Sequence, residues 1–147
     1  MTVLVTGAAG FVGFHAINAL LDRGEDVVGI DNLNAYYDPA LKQARLAHLM
    51  ARPGFAFEKM ELADNEAVLA LVERVRPDRI LHLGAQAGVR YSIDQPFAYA
   101  NSNLHGHLSV LEAARHLGDD LKHLVYASSS SVYGERSAVP FREDDVT

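Results

Sequence analysis

The chain has 147 residues, 49% of them hydrophobic, which suits one domain with a real core. Thirteen basic against nineteen acidic residues give a net charge of −6, and no window gathers the Lys and Arg that a binder of nucleic-acid phosphates needs. There is no cysteine, which excludes disulfides and thiolate metal sites, and no apolar run approaches the ~18 residues of a membrane span; with no leader-like start, a cytoplasmic protein is the expectation.

Residues 2 to 6 read as a first strand that runs into Gly7-Ala8-Ala9-Gly10-Phe11-Val12-Gly13, three glycines at every third position. A helix over about 11 to 22 follows, with Phe11, Val12, Ala16, Ala19 and Leu20 at helical spacing and Gly24 placed to end it. In such a loop one glycine permits the tight turn, one lets backbone N–H groups approach a diphosphate, and one lets the helix pack against the strand. The dipole and free amides at the helix start favour the negative charge.

A second strand over 27 to 30 ends in Asp31, close to the ~20-residue offset at which an acidic side chain meets the ribose 2′-hydroxyl of a dinucleotide. A carboxylate there repels a 2′-phosphate, and Asn32-Leu33-Asn34 offers no arginine to receive one, which favours NAD over NADP. The competing reading is that Asp31 only starts a turn with Asn32 and Asn34.

The second helix covers about 39 to 51, entered by Asp38-Pro39, carrying Leu41, Leu46 and Leu49, and stopped by Pro53-Gly54. A third strand over 55 to 60 leads into Glu61-Leu62, and a third helix runs from Asn65 to Val75 with Asp64 as N-cap and Val68, Leu69 and Val72 inward. The fourth strand occupies 79 to 83. A fourth helix over about 96 to 117 carries Leu104, Leu108 and Leu111 on one stripe and ends at Gly118; the fifth strand lies at 123 to 127.

Strand–helix alternation with nearly continuous apolar strands predicts an α/β fold, a doubly wound parallel sheet of about five strands whose ligand sits at the carboxyl ends. Three loops besides the first open there: Glu61-Leu62, Leu83 to Ser92, and Ser128 to Gly134. Small residues at 84, 85, 87 and 88 admit close backbone approach, and Arg90 beside Tyr91 offers a cation and an aromatic face to a nucleotide or acidic sugar; a solvated arginine on a glycine-containing loop explains the same residues. Ser128 to Ser131 place hydroxyls at a substrate position and are equally ordinary turn material. His105 and His107 do not share a helix face, and His82 and His123 lie inside strands, so the histidines read as structural or surface residues.

Taken together, Thr6 to Gly13, Asp31-Asn32-Leu33-Asn34-Ala35-Tyr36-Tyr37-Asp38, Ala85-Gln86-Ala87-Gly88-Val89-Arg90-Tyr91-Ser92 and Ser128 to Gly134 resemble the N-terminal half of extended short-chain dehydrogenase/reductases acting on nucleotide sugars, within the NAD-dependent epimerase/dehydratase group. The UDP-glucuronate 4-epimerase branch is the most similar, and the resemblance runs over essentially the whole chain. It implies a Rossmann-type domain over residues 1–147 that binds NAD through Gly7, Gly10, Phe11, Val12, Gly13, Asp31, Asn32 and Asn34, with Glu61 and Leu62 flanking the adenine and Leu83, Gly84, Ala85 and Gln86 lining the cofactor. Glu61 stands where the family has an aspartate.

The same resemblance implies that Ser129 hydrogen-bonds the reacting 4-hydroxyl of a UDP-sugar and that Arg90, Ser128 and Ser130 neighbour the sugar. Related dehydratases carry acidic residues just before the Val-Tyr-Gly, where this chain has Ser130 and Ser131, which favours epimerisation; a dehydratase or decarboxylase is the alternative. The family's general base is the tyrosine of a Tyr-x-x-x-Lys motif. No such motif occurs in these 147 residues, so the base and the sugar-binding domain are expected outside them, and NAD binding without turnover is the expected behaviour. An incomplete fold also leaves a strand edge and apolar helix surface uncovered, from which a homo-oligomer, or a non-catalytic self-associating module, is expected.

Overall fold

A computed structural model describes residues 1–135 and 139–146. Five strands, β1 (Thr2–Thr6), β2 (Asp26–Asp31), β3 (Phe55–Lys59), β4 (Arg79–His82) and β5 (His123–Tyr126), form one sheet in the order β3-β2-β1-β4-β5, every pair parallel. The chain builds outward from β1 to β3, then crosses to the other side of β1 for β4 and β5. That reversal puts a crevice at the carboxyl ends of β1 and β4.

Alternation along β1 divides the core between the two faces of the sheet. Val3 and Val5 point with Val27 at α1 (Phe11–Asp22) and α2 (Pro39–Met50), where Ile17, Leu21 and Leu49 meet them. Leu4, Ile30 and Ile80 point the other way, onto Val68, Leu71 and Val72 of α3 (Asn65–Val75) and Val110, Ala113 and Leu117 of a later helix. The α2 and α3 starts follow the expected caps: Asp38 accepts from the Ala40 amide at 2.9 Å and Asp64 from the Ala67 amide at 3.1 Å.

The expected fourth helix forms over its whole span, with a change of hydrogen-bond pattern in the middle. Its first part is α5 (Pro96–Ala100), a π-helical turn spans Asn101–His105, and α6 (Gly106–Leu117) completes it; α4 (Val89–Asp94) also forms within what the sequence suggested was loop. The leucine stripe faces outward, with Leu104 68% and Leu108 56% exposed, while Gly106, Ser109, Val110, Ala113 and Leu117 face the sheet. Small residues allow the close approach: a Cβ on Gly106 would stand 2.9 Å from Leu62 Cβ. Helix α1 is likewise rotated from the expected face, burying Gly13, Ile17 and Leu21 and leaving Phe11 and Val12 exposed.

His82 is structural, as expected, and its state can be deduced. Thr6 Oγ1 accepts the Leu83 and Gly84 amides at 3.1 and 2.8 Å, which fills its lone pairs, so its hydrogen goes to His82 Nδ1 at 2.7 Å. His82 is therefore the neutral tautomer with the proton on Nε2. Burial, reinforced by the stacked His107 ring 5.2 Å away, pushes its pKa down to about 4.

The unfolded chain takes up this proton near pH 6.5 whereas the folded chain refuses it until about pH 4, so the stability from His82 is full above 6.5 and is lost as pH falls between those values. Urea denaturation at pH 7 and pH 4.5 is expected to show a loss on the order of 2 kcal/mol from this residue, absent in His82→Gln; equal pH slopes for the two proteins would refute the assignment.

Candidate functional site

The turn after β1 is shaped by backbone. Gly7 has φ +70, which a side chain would strain, and the Gly10 amide donates to its carbonyl at 3.0 Å. Gly13 lies in the first turn of α1, where an added Cβ would come within 2.1 Å of the Gly7 carbonyl oxygen. Gly10 is the N-cap of α1 and no side chain caps the helix, which leaves its first-turn amides for another acceptor.

Asp31, at the end of β2, is both turn starter and cleft wall, so the two sequence readings coexist. Its Oδ2 accepts the Ala9 amide at 3.1 Å, which ties it to the glycine turn, and its Oδ1 accepts the Leu33 amide at 2.8 Å and Lys42 Nζ at 3.3 Å. Leu33 sits at φ +57, held by this Asx turn and by the next one, in which Asn32 Oδ1 accepts the Asn34 amide at 3.0 Å.

Side-chain amides then join the loops. Asn32 Nδ2 donates to Glu61 Oε2 at 3.0 Å, and Asn34 Nδ2 to Gln86 Oε1 at 3.3 Å. Asn103, carried on the π-helical turn, holds the backbone of Gln86 at both ends: its Oδ1 accepts the Gln86 amide at 2.8 Å and its Nδ2 donates to the Gln86 carbonyl at 3.0 Å.

These loops enclose a cleft of about 120 Å³, partly open to solvent, at the expected crevice. Of the residues expected at a cofactor, Gly7, Gly10, Asp31, Asn32, Asn34, Glu61, Leu62, Leu83, Gly84, Ala85 and Gln86 line it. Phe11, Val12 and Gly13 stand beside it at the helix start and contribute no wall. Ala87, one of the small residues read as admitting close approach, lines it too, as do Tyr36 and Tyr37 of the quoted asparagine-tyrosine segment; Ile30, Lys42, Met60 and Ser102 also line it and were not singled out as site residues. Lys42 had a usable signal: it falls seven residues before the buried Leu49, on the inner face of α2. Tyr36, between Tyr37 at 4.6 Å and Tyr91 at 4.7 Å, forms an aromatic rim.

The expected substrate residues lie outside this wall. Arg90 is exposed on α4, and Ser128, Ser129 and Ser130 are exposed after β5. Ser129 serves its own loop: its Oγ accepts the Ser131 amide at 3.2 Å and starts the 3-10 turn Ser130–Tyr133. Among the described residues no group of three or more His, Asp or Glu could hold a metal ion, and no helix is long and apolar enough to cross a membrane.

The sheet order, glycine turn and switch-point cleft define a Rossmann-type α/β protein. The chain belongs to the GDP-mannose 4,6 dehydratase family, whose model matches residues 4–147. It is 47% identical over 147 residues to UDP-glucuronate 4-epimerase 4 of Arabidopsis thaliana, covering 100% of this chain and 33% of that one. It is 45% identical over 145 residues to a probable UDP-glucuronate 4-epimerase of Rhizobium meliloti, covering 99% of this chain and 42% of the relative. Among solved structures it is similar to the UDP-glucuronic acid 4-epimerase of Bacillus cereus in complex with UDP-glucuronic acid and NAD, with a TM-score of 0.87, 34% identity, and coverage of 99% of this chain and 45% of that one. The chain spans less than half the length of the curated relatives it matches.

Gly13→Ala is expected to cost about 2–3 kcal/mol of stability by forcing α1 off the Gly7 carbonyl, measured by urea denaturation; a loss below about 0.5 kcal/mol would show that the close packing is not required.

Proposed function

We propose that residues 1–147 form the NAD-binding domain of a cytoplasmic nucleotide-sugar 4-epimerase, with UDP-glucuronate the first candidate substrate. The observation that carries this reading is the cleft itself: a glycine turn and an uncapped helix start on one side, and a buried carboxylate tied to that turn on the other. The fit to NAD is chemical. A Cβ at Gly7 would crowd the Leu83 and Gly84 backbone at 2.9 Å, so the turn stays bare, and Asp31 Oδ2, with only the Ala9 amide on it, keeps a lone pair for a ribose hydroxyl.

In this reading Gly7, Gly10 and the amides of Phe11, Val12 and Gly13 take the diphosphate. Asp31, Asn32 and Asn34 fix the adenosine ribose, and Asp31 disfavours a 2′-phosphate. Glu61 and Leu62 flank the adenine, while Leu83, Gly84, Ala85 and Gln86 continue the wall beneath the nicotinamide end. Bound NAD supplies a hydride acceptor and donor for C4 of the sugar. Ser129 hydrogen-bonds the 4-hydroxyl, with Ser128, Ser130 and Arg90 next to the sugar. The 147 residues contain no Tyr-x-x-x-Lys, so the proton of the 4-hydroxyl has no base here and this chain binds without turning over.

Calorimetric titration of the chain with NAD is expected to show one micromolar site, weakened about tenfold or more in Asp31→Ala, with no epimerised product when UDP-glucuronate is added. A folded chain that binds no NAD would overturn the reading.

A self-associating module is a second reading, favoured by one feature: Phe97, Leu104, Leu108 and Leu111 recur at helical spacing on the outer face of α5, the π-helical turn and α6, with Phe97 88% exposed. We infer that this face pairs with a second copy. Light scattering is expected to give a dimer that Leu108→Lys converts to monomer; a monomeric parent chain at high concentration would contradict it.

A further inference from the structure

The ammonium of Lys42 is buried in the wall of the cleft. Its Nζ donates to Asp31 Oδ1 at 3.3 Å and to Asn34 Oδ1 at 3.2 Å, and a third N–H remains. Three residues along α2, Arg45 Nη1 donates to the Ala9 carbonyl at 3.1 Å, while the Ala9 amide donates to Asp31 Oδ2. Two cations from one helix therefore flank the carboxylate that faces the ribose position. Lys42 and Arg45 stand on the Asp31 side of the cleft, whereas the other acidic group of its wall, Glu61, accepts from Asn32 and makes no ion pair with either cation.

Cofactor preference in such a site follows from what meets the adenosine 2′ position: a carboxylate accepts a hydroxyl, and a cation accepts a phosphate. Here both are present, and the carboxylate occupies the cation. We infer that Lys42, backed by Arg45, is a latent 2′-phosphomonoester site, and that Asp31 alone keeps it closed by holding the ammonium and repelling the phosphate. The inference rests on the dinucleotide reading above and adds to it which residues decide between NAD and NADP. Arg45 contributes as a positioning residue, through Ala9, and Lys42 as the direct phosphate ligand.

The experiment titrates the 147-residue chain, Asp31→Ser and Asp31→Ser with Lys42→Met, each with NAD, NADP and adenosine 2′,5′-bisphosphate. Serine keeps a hydroxyl that can accept the Ala9 or Leu33 amide; Asp31→Asn, closer in shape, replaces it if circular dichroism shows that the serine variant does not fold. The parent chain is expected to prefer NAD by at least tenfold. Removing Asp31 is expected to strengthen NADP and bisphosphate binding at least tenfold over the parent, a gain that shrinks as salt is raised and disappears when Lys42→Met is added. No gain on losing Asp31 overturns the inference while leaving NAD binding by the parent intact. A gain that survives Lys42→Met also overturns it, because the phosphate would then be held elsewhere. If the parent binds no NAD, it is the dinucleotide reading that fails, and the gate with it.

Discussion

The carboxylate of Asp31 is the point at which separate parts of this fold become one site. It is buried at the end of β2, and it satisfies an amide of the glycine turn, an amide of its own turn and the ammonium of the helix that follows. A buried carboxylate is tolerated only when paired and hydrogen-bonded, so the glycine turn, the Asn32–Asn34 loop and α2 are obliged to keep their places around it. From there the amide contacts of Asn34, Gln86 and Asn103 carry the arrangement to the β4 loop and the π-helical turn.

A second polar centre does the same for the floor. Thr6 Oγ1 binds the amides just after β4 and points its hydrogen at His82, which holds the ends of β1 and β4 together where the chain changes direction. The crevice is thus a consequence of topology, and its edges are held by two buried hydrogen-bonding groups rather than by apolar packing. The apolar packing lies beneath, in the two clusters on opposite faces of the sheet.

Much of this was legible in the residues because glycine and aspartate act through the backbone, whose requirements are local. All five strands and the first three helices fall close to their expected places, and Gly7, Gly10, Asp31, Glu61 and Gln86 meet in one cleft. What was not legible depends on the third dimension. Leu104, Leu108 and Leu111 look like a core stripe, but the sheet is approached on Gly106, Ser109 and Ala113, small residues with little apolar signal. The spacing of Lys42 from Leu49 places it on the inner face of α2, but its partners, Asp31 and Asn34, come from another loop and are set by the fold. Ser129 and Arg90 have counterparts in the family pattern, yet they stand outside the cleft wall, and their place at a sugar rests on resemblance.

A dinucleotide in the carboxyl-end cleft lies against the backbone of the loops that form it, and residue-resolved NMR of the nitrogen-15-labelled chain reads those amides one by one. On adding NAD, the amides of Gly7 to Gly13, Leu33, Glu61, Leu62 and Leu83 to Gln86 are expected to shift, with Asp78 and Lys122 at the opposite end of the sheet unmoved. Shifts centred on that opposite end, or on the outer face of α6 with the glycine turn silent, would contradict this placement of the dinucleotide.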